Sequence, residues 1–264
     1  MNALIDEKFY KDKPFLTAPR MIELSGKYVD TIKYIKKNNI TTCVFTFFRD
    51  LKDWLPSLGK VDEIGFIQAG EDRHPLYVVN GIMFTIPFVG GPNAAANMEE
   101  LVAMGLKTFI ACGSAGLIDH TFDGSKMLVV TDAIRDEGTS YHYVSADVLA
   151  KTDNFVTKNI EQVFKNHKMQ FEVGRTWTTD AFYRETEKLI KLRLQQKCVA
   201  VEMECATWCV VAKQLGIRFG QFLYFSDAVN GVDSWTEFPK EHRDNLRVLM
   251  TDIAYEVAKA VDKK

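Results

Sequence analysis

The run CVAVEMECATW, Cys198 to Trp208, sets two glutamates, Glu202 and Glu204, on either side of Met203 inside an otherwise apolar stretch. Taking a carboxylate out of water is costly unless donors or a ligand receive it, so this pair marks a place where the chain holds something polar. A further acid, Asp227, ends the apolar run RFGQFLYFSD, with Ser226 just before it. Burial at the end of such a run raises the pKa of a carboxyl and suits it to proton donation. Capping a turn is the competing use of an aspartate there. In IACGSAG a strand runs into Gly113, Ser114 and Gly116, small residues that let backbone N–H groups and a hydroxyl approach an anion. A plain tight turn is the alternative, since the spacing matches neither the dinucleotide fingerprint nor the Walker loop. FVGGPN starts a helix, whose N-terminus favours anions. RDEGTSYHY concentrates Arg135, Asp136, Glu137, Ser140 and His142 past a strand. It reads either as solvated surface or, through Tyr141 and Tyr143, as a ligand-facing or interface loop.

These groups need a scaffold. Apolar β-rich runs at Thr41–Phe48, Pro75–Val89, Lys107–Gly113, Lys126–Ile134 and Arg218–Asp227 predict strands buried on both faces. Apolar residues at three-to-four spacing predict helices over Asn93–Gly105, after Ser145, and over Arg184–Gln195, Met203–Gly216 and Lys240–Lys259. The alternation predicts an α/β fold with a central mixed or mostly parallel sheet flanked by helices. Ligands of such sheets gather beyond the carboxyl ends of the strands, where the acids and glycines above fall. No repeat, low-complexity tract or linker divides the chain, so residues 1–264 are expected to form one domain, with residues 1–40 as a peripheral helical segment.

Composition narrows the partners. The 264 residues carry a formal net charge of -2, with 47% hydrophobic residues, and no basic block with interleaved aromatics. A nucleic-acid partner held by phosphate neutralisation is therefore not expected. No apolar run reaches the roughly 18 to 20 residues of a membrane span, and none resembles a signal peptide, so a cytoplasmic protein with a small-molecule substrate is expected. Five cysteines without a Cys-x-x-Cys, and no histidine at zinc-ligand spacing, indicate neither a disulfide framework nor a metal site.

From about residue 40 to 260 the order of these segments resembles the nucleoside phosphorylases of the purine nucleoside phosphorylase and uridine phosphorylase superfamily. The marks are FVGGPNAAANMEELVAMGLKTFIACGSAGLI, AIRDEGTSYHY, TWTTDAFYRET, VAVEMECATWCVVAKQLGI and FSD. The resemblance implies a three-layer αβα fold with a mixed, partly barrel-like sheet. It implies that Glu204 accepts both ribose hydroxyls, that Met203 packs under the sugar, and that Glu202 supports the sugar site or bonds nearby backbone. It places Phe182 against the base and Asp227, preceded by Ser226, at purine N7, with Arg243 as the partner of that acid. Gly113 and Ser114 fall at the phosphate site. The family's N-terminal phosphate loop has no counterpart here, and a second phosphate arginine falls on Ala111, so Arg49 or Arg73 becomes the candidate cation, from this chain or a neighbouring subunit. The uracil-selective Gln and Arg fall on Thr186 and Lys188.

The reading that follows is phosphorolysis of a purine nucleoside to free base and ribose 1-phosphate, with no cofactor and with inorganic phosphate as co-substrate. The rivals are a nucleosidase of the methylthioadenosine or adenosylhomocysteine type, a uridine phosphorylase, and a nucleoside-binding protein without catalysis. The family and the aromatic RDEGTSYHY and FFRDLKDWLP segments imply a homo-oligomer, a dimer or hexamer.

Overall fold

The computed structural model describes Asp6, residues 11–229 and residues 235–262. Part of the expected N-terminal helical segment, residues 1–5 and 7–10, lies outside the described residues, as do Asn230 and Gly231 after the Asp227 strand.

Eleven strands and eight helices follow in the described chain: α1 Ala18–Ser25, α2 Val29–Lys37, β1 Thr42–Thr46, α3 Leu51–Trp54, β2 Val61–Ala69, β3 Asp72–Val79, β4 Ile82–Thr85, α4 Gly91–Met104, β5 Thr108–Leu117, β6 Met127–Asp136, β7 Ala150–Lys151, α5 Asn154–Asn166, β8 Phe171–Thr179, α6 Glu187–Gln195, β9 Cys198–Glu202, α7 Cys205–Leu215, β10 Arg218–Val229, β11 Trp235–Glu237 and α8 Lys240–Asp262. All strands join one mixed sheet. Strand β5 pairs with β10 and β9, β10 with β6, β6 with β8 and β8 with β9, so five strands close into a ring. From β5 the sheet continues outward through β1, β4, β3 and β2. Helices pack on this framework, α4 against α7 and α5 against α8, which gives the flanked, partly barrel-like α/β sheet that was expected.

Burial explains the strand assignments. Strand β1 is buried at every position, and β5 everywhere except Ser114 and Gly116, as strands covered on both faces require. A large apolar cluster joins β1, α4, β5 and α7, with Phe45, Phe109, Trp208 and Phe219 at its centre. Another seats α5 and α8 on the opposite side through Phe164, Phe222 and Ile253.

The structure corrects several expectations. Pro75–Val89 is not one strand: Asn80 and Gly81, at φ 50° and 82°, turn it back on itself, and β3 pairs antiparallel with β4. Two consecutive left-handed residues are what a tight hairpin needs, and Asn-Gly supplies them at least cost. The Gly113–Ser114 segment is no turn, because β5 runs straight through it to Leu117. The helix expected from Met203 begins at Cys205, after the short strand β9; that expected from Arg184 begins at Glu187, where Thr186 caps it. Strands β2, β7, β8, β9 and β11 were not expected. Half of β8 is exposed or partly so and β2 is mostly half-buried, so neither shows a continuous apolar run.

Strand β10 carries Asp227, and Gly220 lets it lie close to α5. A Cβ at Gly220 would stand 2.4 Å from Val156 Cγ1 and 3.0 Å from Val156 Cβ. Gly220→Ala is therefore expected to destabilise the fold by about 1–3 kcal/mol through overpacking. Urea unfolding checks this, and an unchanged midpoint would mean that strand and helix separate at little cost.

Candidate active site

At the ends of β5, β8, β9 and β10 lies a cavity of about 760 Å³. Glu202, Met203 and Glu204 face it from the β9–α7 junction, Ser226 and Asp227 from β10, and Phe182, Tyr183 and Glu185 from the β8–α6 connection. Ser114, Ala115 and Gly116 of β5, Thr179 of β8, Val201 of β9 and Val229 of β10, with Phe47 and Val89, complete its walls. Among the described residues lining it there is no lysine, arginine or histidine.

Both glutamates of the opening motif are buried. Glu202 spends its oxygens on the protein. One accepts the Thr178 hydroxyl; the other accepts the backbone N–H of Glu204 at 2.7 Å and of Cys205 at 2.6 Å, the start of α7. A carboxylate suits that place because the first helical N–H groups lack partners within the helix and carry the positive end of its dipole. Glu204 occupies the N-cap position of α7, its carbonyl accepting Trp208 N–H, yet its side chain makes no cap and turns into the cavity. There it accepts the N–H of Gly90 at 2.7 Å. Gly90, at φ 91°, has the left-handed backbone that glycine adopts without strain and stands before the first turn of α4. Two helix starts thus converge on two buried acids.

Burial pushes the Glu204 carboxyl up to about 8, aided by the charge of Glu202, while the Gly90 N–H opposes the rise. Burial likewise lifts Glu202 to about 7, against the pull of its Thr178, Cys205 and Glu204 donors, and Glu137 adds to the rise. Glu137 is itself buried; one oxygen accepts Ser140 N–H and the Thr207 hydroxyl, and its Oε1 has no partner among the described residues.

At the other end of the cavity, the β10–β5 register slips between Phe225 and Asp227, leaving Ser226 as an extra residue. Such a bulge re-aims the side chain that follows it. Asp227 then stands opposite Gly116, where a Cβ would come within 3.3 Å of Asp227 Oδ2. The Ser226 hydroxyl donates to Asp227 Oδ1 at 2.6 Å. Arg243, the expected partner of this acid, forms an ion pair with Glu237, which stands on β11 directly opposite Asp227. Phe182, half exposed, and Tyr183, still more exposed, have ring centroids 4.1 Å apart at the cavity wall.

The expected anion site is rearranged. Ser114 faces the cavity, but Gly113 does not line it: Phe47 covers that glycine, its Cδ2 only 3.0 Å from where a Cβ would stand. Arg49 is exposed, and Arg73 on β3 lies 4.3 Å above the Phe66 ring, so neither lines the cavity. Thr186 caps α6 and Lys188 is exposed, both outside the lining. RDEGTSYHY is a folded strap outside the lining of this cavity. Arg135 ties it together through Ser140 and the carbonyls of Val144, Ser145 and Val148, and none of its residues lines the cavity. Glu185, Tyr183 and Phe47 were missed. The first two stand in the TTDAFYRET motif beside Phe182, and a carboxylate three residues past that aromatic was the available signal.

A sequence model of the Phosphorylase superfamily matches residues 53–261, and the chain belongs to that family. Among its relatives, guanosine phosphorylase of Halorubrum lacusprofundi is 30% identical over 60% of this chain and 68% of its own length. Uridine phosphorylase of Thermococcus kodakarensis is 31% identical over 60% of this chain and 62% of its own length. The fold is shared with AMP nucleosidase of Bacteroides thetaiotaomicron, at a TM-score of 0.69 and 22% identity over 84% of this chain and 88% of that one. No helix among the described residues is long and apolar enough to cross a membrane.

The buried acids give stability a pH dependence. Their folded pKa values, about 7 and about 8, lie above the unfolded carboxyl value, so the folded state binds more protons in between. Their stabilising contribution is complete below the unfolded value and is lost as pH rises through 7 and 8. Stability of the ligand-free protein is expected to fall over that window, and Glu204→Gln to reduce the slope by up to about 1.4 kcal/mol per pH unit. Chemical unfolding at a series of pH values measures it; equal slopes would show that Glu204 does not titrate there.

Proposed function

We propose that this protein cleaves the N-glycosidic bond of a purine ribonucleoside. The observation that carries this is the placement of Glu204 and Asp227 in one cavity, with Phe182 on its wall. Glu204, having one donor from Gly90, keeps acceptor capacity for vicinal ribose hydroxyls, which a carboxylate receives in one plane. Met203 lies beside it for the sugar, and Glu202 holds the junction in shape. Phe182 offers the base an aromatic face, and Asp227 meets the ring nitrogen that gains electron density as the bond breaks. The transition state is a ribosyl cation, so rate comes from neutralising the departing base while the Glu204 carboxyl, hydrogen-bonded to the sugar, holds the ribose in place. Thr186 and Lys188, outside the lining, favour purine over uracil.

Phosphate is the proposed nucleophile, as the names of the phosphorylase relatives suggest. Ser114 offers it a hydroxyl, and its balancing cation comes from beyond the described lining, with Arg49 or Arg73 of a second subunit in a homo-oligomer as the candidates. The absence of a cation among the described lining residues favours a second reading, hydrolysis, in which neutral water needs no such charge. Product analysis separates them. Guanosine, inosine, adenosine, uridine and methylthioadenosine are incubated with and without phosphate: ribose 1-phosphate formed only with phosphate is expected, and free ribose at equal rates in both buffers establishes hydrolysis.

The ribose clamp has its own test. A 2′-deoxynucleoside leaves one acceptor of Glu204 without its donor, a loss of about 1–3 kcal/mol. Wild type is expected to prefer inosine over 2′-deoxyinosine by about ten- to a hundredfold in kcat/KM. Glu204→Gln, with one acceptor and one donor, is expected to flatten that ratio; an unchanged ratio would remove Glu204 from the clamp.

A further inference from the structure

One carboxyl of the cavity has no part in this scheme. Glu185 ends the short 3-10 turn Phe182–Arg184, is half-buried, and lines the same cavity as Asp227. The two acids arrive from different elements, Glu185 from the β8–α6 connection and Asp227 from β10. The remaining charged groups of the described lining are Glu202 and Glu204, also acidic. Arg184, next to Glu185 in the turn, is exposed and outside the lining, and the neighbouring phenol is that of Tyr183. Burial and the negative charge of Asp227 push the Glu185 carboxyl up to about 7. Two carboxyls that repel each other in a partly dry site retain a proton that a solvated carboxyl would lose.

We propose that Glu185 and Asp227 work as a carboxyl pair that holds one proton for the departing base, and that Glu185 is a catalytic acid of this site. The inference rests on the purine-nucleoside reading. As the C1′–N9 bond breaks, its electron pair passes into the base and the proton of the pair moves to N7, leaving two carboxylates. The nucleophile, phosphate or water, bonds to C1′ and gives up the proton that reloads the pair. No other reactant is required. The arrangement meets a need that one acid alone meets poorly: an isolated carboxyl is ionised at neutral pH and has no proton to give.

7-Methylguanosine provides the test, because its methylated imidazolium already carries the positive charge at N7 and leaves without a proton. Wild type, Glu185→Gln and Glu185→Asp are compared on guanosine and 7-methylguanosine at about pH 6, where an ordinary carboxyl is ionised. Glu185→Gln is expected to lower kcat on guanosine about a hundredfold and on 7-methylguanosine by less than about fivefold, with Glu185→Asp recovering part of the guanosine rate. Wild-type kcat/KM for guanosine is expected to decline as pH rises through about 7, and Glu185→Gln to lack that limb. Equal losses on both nucleosides, or no loss on guanosine, overturn the pair. Should the glutamine variant fail to fold, Glu185→Asp bears the same contrast, its loss being confined to guanosine or the proposal failing. A wild type that cleaves neither nucleoside overturns the purine reading itself and the pair with it; a wild type active on both, with variants that show no contrast, overturns the pair alone.

Discussion

Everything at this site depends on keeping two adjacent carboxyls, Glu202 and Glu204, out of water. Without donors their burial would cost several kcal/mol, and the chain supplies those donors from backbone. Strand β9 stops at Glu202 so that its carboxyl can meet the first N–H groups of α7. Gly90 takes a left-handed conformation that sends its N–H to Glu204 at the head of α4. Helices α4 and α7 pack on each other, and the strap that Arg135 organises brings Glu137 and Thr207 together beside them. Gly91 permits this crowding, since a Cβ there would lie 2.8 Å from Thr139 Oγ1 and 3.0 Å from Thr207 Oγ1. The acids remain uphill even so, as their raised pKa values record. A ligand that brought two hydroxyl donors would relieve that state, and so would be preferred over one that brought fewer.

The cavity is also uneven in its polarity. Acids stand at both ends, and Phe47, Val89, Val201 and Met203 lie among the walls. Phe47 gives the wall beside Ser114 its apolar character, because its ring lies against Gly113. A pocket of this charge favours groups that donate hydrogen bonds or carry positive charge in the transition state. It repels a phosphate dianion unless a cation arrives with it.

The core strands and most helices were legible because burial on two faces writes long apolar runs, as in β1, β5 and β10. Partly exposed strands were not: the edge strand β2 and the ring strand β8 lack full burial, so periodicity thins out. The Asn80–Gly81 turn was readable from its residue types, but the apolar run on both sides concealed it. At the site, the motif VEMECAT led to acids that do face one cavity, and FSD led to Asp227 in the same space. Arg243 was placed near the right acid, and its ion pair with Glu237, the residue opposite Asp227 in the β10–β11 ladder, depends on a strand pairing that local sequence does not carry. Glu185 escaped notice for a similar reason, since its meaning comes from Asp227, about forty residues away in the chain.

The single extra residue at Ser226 has a consequence for how this site can change over time. In a strand, direction alternates with every residue, so the bulge acts as a parity bit: it decides which side of β10 the carboxylate of Asp227 points to. Point substitutions can only alter what stands at that position. Loss of one codon beside it, with the aspartate itself retained, would turn the acid from the cavity to the opposite face. Insertion and deletion in β10 can therefore take the acid out of the cavity while leaving its chemistry intact, a kind of change that replacement does not make.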